Sequence, residues 1–356
     1  MLLPTATKMV TQRRKNAMAG SIVSRAAIAG FVLGAVSLSL PAPAQAEWKP
    51  TKPITIVVPW AAGGSTDQVI RVTASELENA LGQKVVVVNQ PGASGSIGTK
   101  SVLEAAKDGY TWASGAAKDV GTYAVSGLLD TKMDDWHFYL TVANQSVVSV
   151  NPNSPYKTLK ELIDAMKAKP GQISIATAGV NSSGHFGSEA LARGAGVTYK
   201  HVSYDGGNPA VIATVSGETE VTTQLGVEQV EMIRAKRLRP LAVLADKPLE
   251  IEGMAPIEPV TKTLPNFRTE TNYFGIFVPK GVPAEVTATL DKIWAEKMKN
   301  SAALKKYATE KGALFDPQYG EAAKKAAFPA IQGAAWILQE GGKAKVSPDT
   351  VGIPKP

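Results

Sequence analysis

No cysteine occurs in the 356 residues, which excludes disulfides, thiolate metal ligands and a cysteine nucleophile and leaves stability to the hydrophobic core. Histidine is nearly as scarce. His137, His185 and His201 are isolated in sequence, and none has a second histidine or a carboxylate at metal-ligand spacing, so no zinc site is expected. No Gly-x-Ser-x-Gly elbow is present, so a hydrolytic triad would lack a recognisable nucleophile turn. The glycine-rich stretch Gly92 to Ser101 falls short of a phosphate loop, because Thr99 stands between Gly98 and Lys100 where that loop needs glycine directly before lysine. Neither catalysis nor a bound cofactor is expected.

Negative charge is missing from one end of the chain. Before Glu47 there is no Asp or Glu, whereas Lys8, Arg13, Arg14, Lys15 and Arg25 supply a positive start. An apolar run from Ala26 to Leu40 follows, about 15 residues against the roughly 20 that cross a bilayer. Small residues at Ala44 and Ala46 then suit a signal peptidase. Residues 1–46 therefore read as a signal peptide cleaved before Glu47, and the product is expected in the periplasm. Lys15-Asn16-Ala17 after the arginine pair lacks the apolar pair of a twin-arginine signal, which favours ordinary secretion. Without this segment the formal charge falls from +7 to +2. A near-neutral chain with no basic run gives no electrostatic footprint for nucleic acid, and a monomer is expected.

What the chain does contain is an alternation of short β-branched runs with helical stretches, the pattern of a parallel sheet covered by helices. Strands are expected at 54–58, 85–88, 110–114, 147–150, 173–177, 198–203, 220–224, 240–244 and 273–278. Helices are expected from Ser65 or Thr66 to Leu81, and over 97–106, 158–168, 187–193, 208–215, 227–235, 283–311 and 321–339, the last breaking at Pro329. The grouping predicts two α/β lobes, 47–147 plus 272–356 and 148–271, with a cleft between them. Ligands of such sheets sit beyond the carboxyl ends of strands, where helix N-termini point.

The sharpest feature is Pro59-Trp60-Ala61-Ala62-Gly63-Gly64-Ser65-Thr66-Asp67. Its glycines allow close backbone approach and positive φ, and the first amides of the helix with the Ser65 and Thr66 hydroxyls are donors to an anion. A tight turn with a polar cap is the plainer alternative. Asp67 falls in the first helical turn, where its oxygens can hold loop N–H groups. In the other lobe Gly179, Asn181, Ser182, Ser183 and His185 form a matching loop between strand and helix, and Tyr204-Asp205-Gly206 follows at the next such junction. Trp60, Ala62, Gly63, Gly64, Ser65, Thr66 and Asp67 are thus the first-lobe candidates for ligand contact. Trp112, Trp136, Tyr110, Tyr123 and Phe138 could line a pocket or fill the core.

Taken with Asn89-Gln90-Pro91-Gly92-Ala93-Ser94-Gly95-Ser96-Ile97-Gly98, Asp108-Gly109-Tyr110-Thr111, Lys157-Thr158-Leu159, Lys169-Pro170-Gly171 and Leu238-Arg239-Pro240-Leu241-Ala242-Val243, that first loop resembles the Bug, or TctC-type, receptors of tripartite tricarboxylate transporters. The resemblance implies a type II periplasmic binding protein with a Venus-flytrap cleft. It also implies a carboxylate ligand and a membrane partner of one large and one small subunit. Two departures bear on the ligand: Asn272-Tyr273-Phe274-Gly275 replaces a Trp before that glycine, and Asp205 replaces a basic residue. An acidic group near the mouth disfavours citrate and leaves a dicarboxylate, an aromatic carboxylate or a zwitterion. A sensory protein that presents its ligand to a signalling partner, and a periplasmic hydrolase, are the alternatives.

Overall fold

The computed structural model describes residues 47–268 and 270–356, so the proposed signal segment lies outside the described residues. In chain order the elements are β1 (Ile54–Val58), α1 (Ser65–Leu81), β2 (Val85–Asn89), α2 (Ser96–Glu104), β3 (Thr111–Ala116), α3 (Ala117–Ser126) and β4 (Trp136–Asn144). Then come β5 (Val147–Val150), α4 (Leu159–Ala168), β6 (Ser174–Thr177), α5 (Ser183–Ala195), β7 (Lys200–Ser203), α6 (Gly207–Ser216), β8 (Val221–Thr222), α7 (Gly226–Arg234) and β9 (Arg239–Val243). The chain closes with β10 (Asn272–Pro279), α8 (Ala284–Glu296), α9 (Ala302–Lys311), β11 (Leu314–Tyr319) and α10 (Gly320–Glu340).

Two sheets result. One has the order β11-β4-β10-β3-β1-β2 and the other β7-β6-β8-β5-β9. Both are mixed rather than parallel, a correction to the sequence expectation: β1 runs parallel to β2 and β3, but β10 is antiparallel to β3 and β4, and β5 is antiparallel to β8 and β9. The reason is connectivity. The chain leaves the first sheet after β4 and returns as β10, so returning strands enter against the direction of the βαβ units.

Helices cover both faces of each sheet. Alternation along β1 sends Ile54, Ile56 and Val58 toward Val69, Ile70 and Leu77 of α1, with Leu290 and Trp294 of α8, while Val57 joins Val120 of α3 and Ile331 of α10 on the opposite face. In the second sheet Val148 and Val150 pack with Leu162 and Met166, whereas Val147 and Val243 pack with Val211 and Val230. Trp112, Trp136, Tyr123 and Phe138 are core residues. Among the described residues no helix is long and apolar enough to cross a membrane.

Several elements depart from expectation. α3 follows β3 without an intervening loop and was not expected. The stretch 283–311 is two helices, because Ser301 starts a new one by accepting the Leu304 N–H at 3.0 Å. Pro329 lies inside α10 without ending it. β11 carries Pro317 at a register shift on the sheet edge, a position where a strand tolerates proline. Thr158 and Glu161 form a reciprocal capping box at α4.

Gly275 decides how β10 meets β4. The register slips between Phe274 and Gly275, and a Cβ there would stand 2.1 Å from the Tyr139 carbonyl oxygen and 2.7 Å from Leu140 Cα. Backbone cannot yield as a side chain can. Gly275→Ala is expected to destabilise the protein by at least about 3 kcal/mol, measured by denaturant unfolding, and a change below about 1 kcal/mol would show that β4 and β10 can part.

Candidate ligand-binding cleft

The loop from Pro59 to Gly64 joins β1 to α1. Gly63 adopts φ 79°, whereas Gly64 is extended at φ −70° and ψ 172°, so only the first glycine uses the left-handed region. Gly64 is also the N-cap of α1 and offers no capping side chain, which corrects the expectation that Ser65 or Thr66 caps the helix. Asp67 ties the loop down: its Oδ2 accepts the Gly63 N–H at 2.8 Å and its Oδ1 accepts Asn89 Nδ2 at 3.0 Å. Arg71 Nε donates to the same carboxylate at 3.0 Å. Burial favours protonation of Asp67, but Arg71, the Gly63 amide and Asn89 outweigh it and hold the carboxyl below its ordinary range.

On the facing lobe, Gly179 and Asn181 take φ 103° and 67°, folding the loop so that Ser182 caps α5 with its Oγ on the His185 N–H at 3.2 Å. His185 is wholly buried beneath this loop. Its Nδ1 accepts the Asn181 N–H at 3.4 Å and its ring lies 4.7 Å from that of His201. Burial lowers its pKa and keeps the imidazole neutral.

Between the two loops the structure encloses a cavity of about 30 Å³, bounded by Trp60, Ser65, Thr66, Ser182, Ser183 and Phe274 among others. Gly64 also borders it, but Ala62, Gly63, Asp67, Gly179, Asn181, His185, Tyr204 and Asp205 do not. Ala62 and Asp205 are exposed, and Tyr204 turns its hydroxyl to Glu218 at 2.8 Å. Asp205 is therefore not the charge that faces the cavity.

Two other carboxylates are. Asp119, in the first turn of α3, accepts Lys118 Nζ at 2.6 Å and Trp60 Nε1 at 3.3 Å. Lys118 also donates to the Asn181 carbonyl at 3.0 Å, so a lysine reaches the rim although neither principal loop contains one. Glu228, in the first turn of α7, accepts the Ser65 N–H at 3.0 Å with Oε1, while Oε2 accepts Gln224 Nε2 at 3.1 Å and its own Leu225 N–H at 3.3 Å. Gly207 makes room for it, since a Cβ there would lie 2.1 Å from Oε1. No cation faces Glu228 in these contacts, and burial pushes its pKa up against the pull of the Ser65 and Leu225 amides. A helix N-terminus attracts anions, and here the anion is a protein side chain from the opposite lobe. Sequence reading missed both acids, Asp119 because α3 was not recognised and Glu228 because it was read only as part of a helix.

Hydrogen bonds across the cleft shut it. Besides Ser65 to Glu228 and Lys118 to Asn181, Asn208 Nδ2 donates to the Gly63 carbonyl at 2.9 Å and Asn272 Nδ2 to Ser183 Oγ at 2.9 Å. A space of about 30 Å³ holds a water molecule or two, so any organic ligand requires the lobes to part.

The model of the tripartite tricarboxylate transporter family receptor matches residues 69–337. This chain belongs to that family. It is 30% identical over 290 residues to protein BugT of Bordetella pertussis, covering 80% of this chain and 87% of that one. Its fold is similar to that of the periplasmic binding protein BugD, with a TM-score of 0.75 and 24% identity over 83% of this chain and 99% of the other. It is also similar to R. palustris Rpa4515, solved with adipate, with a TM-score of 0.74 and 22% identity over 82% and 98% of the two chains. The family is one of periplasmic solute-binding receptors, and the two-lobed α/β architecture is that of type II periplasmic binding proteins.

Glu228 gives the shut form a pH dependence. Its folded pKa lies above the 4.5 of a free glutamate, so its contribution to stability is present below about 4.5 and is lost as pH rises through the folded value. Thermal melts from pH 4 to 8 are expected to show the wild type losing stability relative to Glu228→Gln as pH rises. Subtracting the two curves cancels the histidines, and parallel curves would show that Glu228 is not buried in solution.

Proposed function

We propose that this receptor captures a small aromatic monocarboxylate between lobes 47–147 plus 272–356 and 148–271, and delivers it to the large and small membrane subunits of a tripartite transporter. Export by a signal cleaved between Ala46 and Glu47 belongs to the same reading. The observation that carries it is the pair of helix N-termini, α1 and α5, opposed across one cavity with Ser65 and Thr66 on one side and Ser182 and Ser183 on the other. Backbone amides and hydroxyls at helix starts suit a carboxylate and release it when the walls separate.

The rest of the lining narrows the ligand. Trp60 and Phe274 offer aromatic faces, while Asp119 and Glu228 supply two acids that would repel a second ligand charge. A dicarboxylate such as the adipate of the structural neighbour would bring its far carboxylate toward these acids. A single carboxylate on a ring brings one charge, not two, toward these acids. The ligand oxygens would take the Ser65 amide now held by Glu228, so binding exchanges one carboxylate for another as the lobes open and reclose.

Calorimetric titration of benzoate and adipate tests the reading. Benzoate is expected to bind more tightly, and Ser65→Ala, Thr66→Ala and Ser182→Ala to weaken it by about 0.5–1.5 kcal/mol each. Glu228→Gln is expected to improve adipate by about tenfold or more relative to benzoate, because it removes like-charge repulsion. Unchanged benzoate affinity in all three hydroxyl variants would place the ligand elsewhere.

A further inference from the structure

The loop that leads into α5 is anchored from beneath by His185. This residue is 0% exposed, and its Nδ1 accepts the Asn181 N–H at 3.4 Å, a long hydrogen bond. Little else holds Asn181. It sits at φ 67°, which residues with side chains keep only where their surroundings impose it, and both atoms of its side-chain amide are buried without a partner. Its backbone fixes it instead, through the N–H on His185 and through the carbonyl, which accepts Lys118 Nζ at 3.0 Å. Ser182 and Ser183 follow directly, so this anchor sets where the start of α5 presents them.

A neutral imidazole accepts at one ring nitrogen and donates from the other. Two donors nevertheless face this ring, the Asn181 N–H at Nδ1 and Lys343 Nζ at 3.2 Å from Nε2. Only one can be accepted. Lys343 has another acceptor in Glu189 Oε1 at 2.8 Å, whereas the Asn181 N–H has no other among the described residues. Satisfying every donor therefore puts the ring proton on Nε2, with Glu189 Oε1 at 3.5 Å, and leaves Nδ1 to accept.

That arrangement lasts only while the ring carries one proton. Burial is the largest influence against a second, and Lys343 and Lys118 of α3 oppose it as well. Glu189, on α5 itself, favours it. The His185 ring, Lys343 and the Tyr199 hydroxyl at 2.7 Å keep Glu189 ionised, well below the usual carboxylate range. His201 of β7 stacks on the ring at 4.7 Å and is pushed down to about 4 mainly by burial, so it adds no charge near neutral pH. Lys343 reaches this group from outside the second sheet and its helices. It follows α10, which packs on the first sheet through Ile331, while α5 packs on the second through Leu191. We propose that Lys343 is a positioning residue for the cleft, which keeps His185 neutral so that Nδ1 anchors the Asn181 amide and, through it, the Ser182 and Ser183 start of α5. Without the lysine charge, Glu189 draws a second proton from solvent onto Nδ1. A donor then faces the Asn181 N–H, and the loop loses its anchor. This rests on the proposed carboxylate site only in what the loop is for.

Long-range proton–nitrogen NMR of the histidine rings tests the proposal on the full mature chain without ligand, and three histidines keep the spectrum simple. In the wild type His185 is expected as a neutral ring with its proton on Nε2, an observation that needs no variant. In Lys343→Met the ring is expected to take up its second proton at higher pH than in the wild type, with the Asn181 amide resonance shifting in step. Lys343→Arg is expected to restore the wild-type titration. A purely structural role for Lys343 would leave the ring titration unmoved. Identical titrations in the wild type and Lys343→Met would overturn the proposal. So would an Asn181 amide that stays in place while the ring protonates, or a wild-type proton on Nδ1. With benzoate as the probe, at a pH where only the variant ring is protonated, Lys343→Met is expected to bind about two- to tenfold more weakly than the wild type. Equal benzoate affinity at that pH would show that the anchor does not position the cleft. The resonances are read without ligand, so failure here is distinguishable from failure of the carboxylate reading.

Discussion

A helix that begins in a buried place with no capping side chain must find an acceptor for its first amides, and α1 finds it across the cleft. Gly64 has no side chain to offer, so the Ser65 N–H is satisfied by Glu228 of the opposite lobe. Much else follows from that one contact. Gly207 has to be small for the carboxylate to fit, Gln224 is held by its second oxygen, and the two lobes approach until the space between them is about 30 Å³. The desolvation of Glu228 is the opposing term, and it makes the contact exchangeable: a buried acid without a counter-ion gains little when its amide partner is offered a ligand instead.

The same geometry explains why the binding loops carry hydroxyls and glycines instead of arginine. A bidentate arginine would hold a carboxylate strongly and independently of lobe position. Amides on two facing helix starts bind only while the walls are together, so affinity is coupled to closure. Lys118 is occupied by Asp119 and the Asn181 carbonyl and acts as a strut between lobes.

The legible parts of the fold were those with local signals. Thr158 and Glu161 announce α4 by a capping box, and Gly82 marks the end of α1 in the left-handed conformation that glycine permits. The two principal loops were legible as strand-to-helix turns rich in glycine and hydroxyl groups. What escaped had no local mark. α3 starts directly from β3, and its first turn brings Lys118 and Asp119 to the cleft with no turn residue between strand and helix. The direction of β4, β5 and β10 depends on where the chain returns, which hydrophobic periodicity does not encode. Glu228 had one signal, its place three residues after Leu225, where its carboxylate folds back on the helix start, but its reach across the cleft depends on tertiary packing. Asp205 looked like the acid at the mouth and points to solvent instead, because Tyr204 is drawn to Glu218.

The central claim is that a ligand carboxylate replaces Glu228 at the start of α1. A crystal structure of the mature protein grown with benzoate tests it most directly. The account predicts carboxylate oxygens within hydrogen-bond distance of the Ser65 amide and of the Ser182 or Ser183 hydroxyl, with Glu228 displaced from Ser65. A bound carboxylate held by lysine or arginine, with the Ser65 to Glu228 hydrogen bond intact, would contradict it.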